Sequence, residues 1–163
     1  VRRGRIIMIT SVAGRIGAPS GSAYSASKFA LEGFAESLMQ EVTPLGLRVS
    51  IVEPGITRTG SWTIDRAAAT RARDPSGPYY AWFCQAEKLF DRAMQSSPIT
   101  PTDVAKTVHR ALTARQPRLR YVVGRRPHLM IAGRRYVPDA LFERLYFGEV
   151  MRRVTRTARG PIR

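Results

Sequence analysis

Near its amino terminus the sequence carries a serine, a tyrosine and a lysine at Ser11, Tyr24 and Lys28. Tyr24 and Lys28 are four positions apart, so on a helix both side chains lie on one face. A phenol exchanges protons poorly at neutral pH, with an unperturbed pKa of about 10. A neighbouring ammonium favours the phenolate and brings proton transfer toward the working range. Ser11 follows the apolar run "RIIMIT", which puts its hydroxyl just past a strand end, where open α/β sheets bind ligands. A hydroxyl that polarises a carbonyl oxygen, beside a phenol that protonates it, is a device for carbonyl reduction or alcohol oxidation. The Tyr-x-x-x-Lys pair alone is a weak signal, because a solvated helix pair has the same spacing. Its weight depends on the elements around it.

Residues 5–10 form a short β-branched run without alternation, as in a strand buried on both faces. A Gly, Pro and Ser-rich loop runs from Ser11 to about Ser22. From Ala23 to about Thr43, the residues Phe29, Leu31, Phe34, Leu38, Met39 and Val42 recur at helical intervals, and Pro44 and Gly46 mark the stop. Leu47 to Val52 reads as a second buried strand, closed by Pro54 and Gly55. Strand, helix and strand in this order predict two parallel strands joined by a right-handed crossover. Residues 61–73 have helical composition, 74–78 ("DPSGP") a loop composition, and 79–95 carry Trp82, Phe83, Leu89, Phe90 and Met94 at helical spacing. Thr100 as N-cap, Pro101 at the first position and Asp103 in the first turn open a further helix. Residues 119–123 form a third strand stopped by Gly124, and an amphipathic helix after Pro138 presents Leu141, Phe142, Leu145 and Met151. The fold class expected is α/β.

With the elements in this order, residues 4–59 closely resemble the short-chain dehydrogenase/reductase family. The resemblance rests on "TSVAG", a form of the family's Ser-Ser-x-x-Gly element, on "YSASK", and on "PGITRT", a form of Pro-Gly-x-x-x-Thr. It implies a partial Rossmann-like doubly wound parallel sheet of about three strands, with helices on both faces and a helical substrate lid. Residues 1–163 would be one partial domain: a catalytic core at 1–59, the lid at 60–97, and a last crossover helix, strand and carboxy-terminal extension at 98–163. Ser11 would orient and polarise the substrate carbonyl, and Tyr24 would be the general acid/base. Lys28 would favour the phenolate and, with Tyr24, hold the nicotinamide ribose, while Pro54, Gly55, Thr57 and Thr59 would line the nicotinamide pocket. The cofactor implied is NAD or NADP. The substrate implied is a small-molecule apolar alcohol or carbonyl compound, because Trp62, Tyr79, Tyr80, Trp82, Phe83 and Phe90 concentrate in the lid. The same aromatics would equally close a core. The carboxy-terminal extension is similar to that of hydroxysteroid- and retinol-dehydrogenase-like members.

The family's Gly-rich phosphate loop, its Asn-Asn-Ala-Gly element and its tetrad asparagine have no counterpart in the sequence. The chain therefore resembles the carboxy-terminal half of the domain, and its nucleotide site is expected to be incomplete. The first strand would present an unpaired edge and the helix at 23–43 would lose part of its partner surface, so the isolated chain is expected to be marginally stable, prone to aggregate and inactive alone. In the family that helix contributes to a subunit interface, which implies a homo-oligomer for the full-length parent.

Composition narrows the alternatives. The apolar fraction of 44% fits a soluble globular protein, and no apolar run approaches the roughly 18 residues of a membrane span. A signal peptide is not expected. Cys84 is the single cysteine, so no internal disulfide forms and a reducing, cytoplasmic compartment is expected. His109 and His128 lack partners at metal-ligand spacing. The net charge of +15 comes mostly from arginine, since only Lys28, Lys88 and Lys106 of the 27 basic residues are lysines. The arginines are spread along the chain without a nucleic-acid module, so no specific nucleic-acid partner is expected. The basic flanks of the last helix would permit weak, peripheral membrane association, or the helix packs as part of the lid. Beside the oxidoreductase stand two other classes: a non-catalytic remnant or dimerisation module of the same fold, and a basic nucleic-acid or membrane binder.

Overall fold

A computed structural model describes residues 4–59 and 68–158. Three strands, β1 (Gly4–Ile9), β2 (Leu47–Pro54) and β3 (Arg120–Val123), form a parallel sheet in the order β1-β2-β3. The connection from β1 to β2 is α1 (Ser22–Val42), and β2 leads to β3 through α2 (Tyr80–Gln95) and α3 (Pro101–Thr113). Parallel neighbours require such crossovers, because a tight turn can join only antiparallel strands.

The register separates the two faces. Ile6 stands opposite Val49 and Met8 opposite Ile51, and both pairs pack with Ala35, Leu38, Met39 and Val42 of α1. On the other face Val52, Tyr121 and Val123 pack with Ile99, Val104, Val108 and Ala111, at and along α3. β2 is therefore covered on both sides, which explains its unbroken apolar run and its burial from Val49 to Pro54. β1 lies at the edge of the described sheet and is only half-buried. On α1 the buried residues are Ser25, Glu32 and Ala35; of the expected apolar series Leu38, Met39 and Val42 pack inward, whereas Phe29 and Phe34 are exposed.

The helix after Thr100 forms as read, with a capping box in which Thr100 Oγ1 accepts from the Asp103 amide and the Asp103 carboxylate accepts from the Thr100 amide. A helix absent from the expected elements, α4 (Arg125–Tyr136), follows β3 directly. Gly124 and Pro127 read as breakers, but Pro127 falls in the first turn, where its missing N–H has no intrahelical partner to lose. After Pro138 the chain forms α5 (Asp139–Phe142), a π turn (Glu143–Phe147) and α6 (Gly148–Ala158). Of the expected face only Phe142 is buried, while Leu141, Leu145 and Met151 are exposed; from Glu143 on, the π turn shifts the helical phase. Phe142 instead stacks on Tyr146 at 5.3 Å and meets Phe147 edge-on at 6.0 Å. α6 packs on α2, with Val154 and Ala86 fully buried. Of the helix expected at 61–73, residues 61–67, with Trp62, lie outside the described residues, and Thr70–Arg73 form a short 3-10 turn.

Candidate active site

Thr10 prolongs β1 by donating its amide to the Val52 carbonyl at 2.9 Å. Ser11 then leaves the sheet and caps a 3-10 turn (Val12–Gly14), its Oγ accepting from the Ala13 amide at 3.2 Å. The Ser11 hydroxyl donates to the Pro54 carbonyl at 3.4 Å, a length at which the bond is weak and the proton is easily redirected to a better acceptor. Gly14 lets this turn lie against α1. A Cβ there would stand 2.9 Å from the Lys28 carbonyl oxygen and 3.0 Å from Glu32 Cγ, so any side chain would push the Ser11 turn off the helix.

Tyr24 sits in the first turn of α1 with its side chain open, the residue being 53% exposed. One turn on, Lys28 Nζ lies 5.6 Å from the Tyr24 ring centroid and donates to the Ile9 carbonyl at 3.3 Å. Lys28 is thus held between the last carbonyl of β1 and the phenol ring. The cation on that face of the helix follows from the four-residue spacing alone.

The exit of β2 supplies the remaining candidates. The Gly55 amide donates to the Val123 carbonyl at 3.2 Å. A Cβ on Gly55 would come within 2.3 Å of Pro127 Cγ and 2.9 Å of Ile99 Cδ1. The glycine is therefore demanded by α4 and by the segment entering α3. Thr57 donates its hydroxyl to the Gly55 carbonyl at 3.0 Å and bridges Ile99, and Thr59 follows, exposed. The structure joins Ser11 to Pro54, and Lys28 to both Tyr24 and the end of β1. Thr57 uses its hydroxyl on its own loop. All of these positions gather at the carboxyl ends of β1 and β2.

Sequence reasoning missed a set of charged residues directly beneath this site: Arg15, Glu32, Glu36, Glu53 and Arg120. Glu53 is fully buried, and Arg15 Nη1 donates to its Oε1 at 3.1 Å. Burial first, and then the Glu32 carboxylate, raise its carboxyl above the ordinary range, while Arg15 and Arg120 pull it back. The signal was present in "LRVSIVEPG": an acid inside a strand buried on both faces must find a charged or hydrogen-bonding partner. Among the described residues no His, Cys, Asp and Glu cluster is arranged for a metal ion.

Residues 1–69 match the family model of short chain dehydrogenases. Over 151 residues the chain is 38% identical to human retinol dehydrogenase 5, covering 86% of this chain and 47% of that protein. The chain belongs to the short-chain dehydrogenase/reductase family. Among solved members, a short-chain dehydrogenase/reductase from Burkholderia phymatum in complex with NAD superposes with a TM-score of 0.67 at 25% identity, covering 82% of this chain and 47% of that one. A second, from Burkholderia cenocepacia in complex with NADP, has a TM-score of 0.62 at 22% identity, covers 88% and 48%, and shares the fold. The chain spans about half the length of the curated relatives it matches. The parallel sheet with flanking helices is the family's Rossmann-type arrangement.

Proposed function

We propose that this chain supplies the catalytic residues of an NAD(P)-dependent oxidoreductase that interconverts an alcohol and a ketone or aldehyde on a bulky apolar substrate. The observation that carries the proposal is Lys28, held between the Ile9 carbonyl and the Tyr24 ring beside a strand-end serine whose hydroxyl is only weakly engaged. In alcohol oxidation the Ser11 hydroxyl turns from Pro54 to the substrate oxygen and fixes it. Tyr24, acting as its phenolate beside the Lys28 ammonium, takes the hydroxyl proton. In carbonyl reduction the same phenol returns that proton while Ser11 donates to the developing alkoxide. The nicotinamide cofactor, when bound, supplies or accepts the hydride.

The donor set suits one end of that cofactor. A phenol, an ammonium and the Thr57 hydroxyl at the sheet's carboxyl end match the ribose hydroxyls and amide of a nicotinamide riboside. The Gly-rich loop that leads from β1 into α1, with Gly14, Gly17 and Gly21, carries Ser11 and its 3-10 turn, and a pyrophosphate would need a cradle other than this loop. The choice between NAD and NADP goes with it. Support for a bulky apolar substrate comes from Tyr79, 75% exposed at the start of α2, from the half-buried Tyr80 and Trp82 beside it, and from the retinol named for the human relative. No helix among the described residues is long and apolar enough to cross a membrane.

The test is a fusion of this chain with the remaining half of human retinol dehydrogenase 5, assayed for oxidation of apolar alcohols with NAD+ and NADP+. Tyr24→Phe should lower turnover about 10²- to 10⁴-fold and weaken NAD(P)H binding far less. Turnover near the parent level would remove Tyr24 from the mechanism. A second reading, an interaction module without catalysis, is favoured by the exposed Phe29 and Phe34 on α1, and a fusion that binds cofactor yet turns over no alcohol would support it.

A further inference from the structure

Resting on that reading, we propose that Arg120, through Glu32 and Glu53, positions the Ser11 turn against Tyr24 and Lys28. The alternation of β1 and β2 sets this up. On the α1 face, the apolar layer of Ile6, Met8, Val49 and Ile51 continues two residues further as Thr10 and Glu53. Arg120 stands opposite Ile51 in the register, which places it on the same face at the start of β3. Its Nη2 donates to Glu32 Oε2 and to Glu36 Oε1, each at 2.8 Å, tying β3 to α1. Its Nε lies 3.4 Å from Glu53 Oε1, an ion contact without hydrogen-bond geometry.

Each carboxylate then reaches a segment of the site. Glu32, only 5% exposed, accepts from Thr10 Oγ1 at 2.6 Å, the residue before Ser11, and lies one turn from Lys28 on the same helix face. Glu53 accepts from Arg15 Nη1 at 3.1 Å, beyond the far end of the Ser11 turn, and precedes Pro54, whose carbonyl takes the Ser11 hydroxyl. The Ser11 turn is therefore held from both sides, by Thr10–Glu32 and by Arg15–Glu53, and Arg120 bridges the two acids. The contact is direct as well, since Glu32 Cγ stands 3.0 Å from where a Gly14 Cβ would lie. Three acids meet two arginines here, and a planar guanidinium can serve several carboxylates at fixed angles where an ammonium acts as a point charge.

The test separates positioning from bulk stability. Arg120→Met alone would strand buried carboxylates and unfold the chain for electrostatic reasons. The informative variant combines Arg120→Met with Glu32→Gln and Glu53→Gln, which removes the clamp and the uncompensated charge together. In the full 163-residue chain, the backbone amide resonances of Ala13, Gly14 and Lys28 should move and their exchange protection should fall. In the fusion described above, kcat should drop about 10²-fold with KM unchanged. A second variant, Thr10→Val, cuts the Thr10–Glu32 bond at constant volume and should move the same amides. Amides and kcat at parent values in a folded triple variant would overturn the proposal. If the fusion shows no turnover at all, the oxidoreductase reading fails, while the amide resonances still decide whether Arg120 positions the turn.

Discussion

Glu53 is the residue whose charge state most directly couples this site to pH. It is fully buried, its Oε2 has no hydrogen-bond partner, and its carboxyl is raised above 4.5 by burial and then by Glu32, against the pull of Arg15 and Arg120. A raised acid holds its proton in the folded chain at pH values where the unfolded chain has released it. Its contribution to stability is thus fully present below pH 4.5 and is lost as pH rises through the higher folded value. Glu53→Gln fixes the neutral form. The variant should match the parent near pH 4 and exceed it above, the gap widening by at most about 1.4 kcal/mol per pH unit. Urea melts across pH 4 to 8 check this, and a constant gap would mean that Glu53 titrates alike in the folded and unfolded chain. Lys28 makes a different demand, because it faces the phenol and, in the proposed function, the cofactor. In the fusion, Lys28→Met should weaken NAD(P)H binding and lower turnover together, whereas Tyr24→Phe acts mainly on turnover.

At the scale of elements, the segment from Ser97 to Thr100 links the site to the core. Ser97 Oγ donates to the Ile56 carbonyl and accepts from the Ile99 amide at 3.2 Å. The Arg58 amide donates to the Ile99 carbonyl at 3.1 Å, and Ile99 closes on Gly55. The Thr100 capping box fixes where α3 begins and so where this segment stops. Thr100→Ala should cost about 1 kcal/mol, measured by chemical denaturation, and should broaden the Gly55–Thr57 amide signals. That cap, the crossover helix and both long strands could be read from the residues because each rests on local chemistry: a Thr-Pro-x-Asp start, a 3.6-residue apolar period, an apolar run ended by Pro-Gly. Ser11, Tyr24 and Lys28 could be singled out as candidates for the same reason. What could not be read depends on distant partners. Pro127 reads as a breaker until β3 sets the start of α4, the π turn shifts the helical phase from Glu143 on, and Arg120 meets Glu32 and Glu53 only once three elements have assembled. The small and charged part of α1's inward face, Ser25, Glu32 and Ala35, was hidden by the larger Phe29 and Phe34, which share the apolar periodicity but are about half exposed.

Those two phenylalanines belong to a property of the whole molecule. Its accessible surface of 11575 Å² for 18.2 kDa is well above the roughly 8,100 Å² expected of a compact monomer of that mass. The excess includes apolar surface: Ile9, Phe29 and Phe34 are each about half exposed, on a strand at the sheet edge and on the helix beside it. An edge strand and an apolar helix face are the two surfaces on which chains associate most readily. A formal net charge of +15 opposes that association, because like-charged copies repel until salt screens them, over about 10 Å at 0.1 M and about 3 Å at 1 M. The two effects have opposite salt dependence, which gives the prediction its sign. Sedimentation velocity should find the chain more monomeric at low ionic strength and increasingly self-associated as salt rises. The double substitution Phe29→Ser and Phe34→Ser should suppress the high-salt species and leave the low-salt one unchanged. Association that weakens with salt would instead point to ion pairing between the arginine-rich surface and the few acids, and would release α1 from the role of contact face.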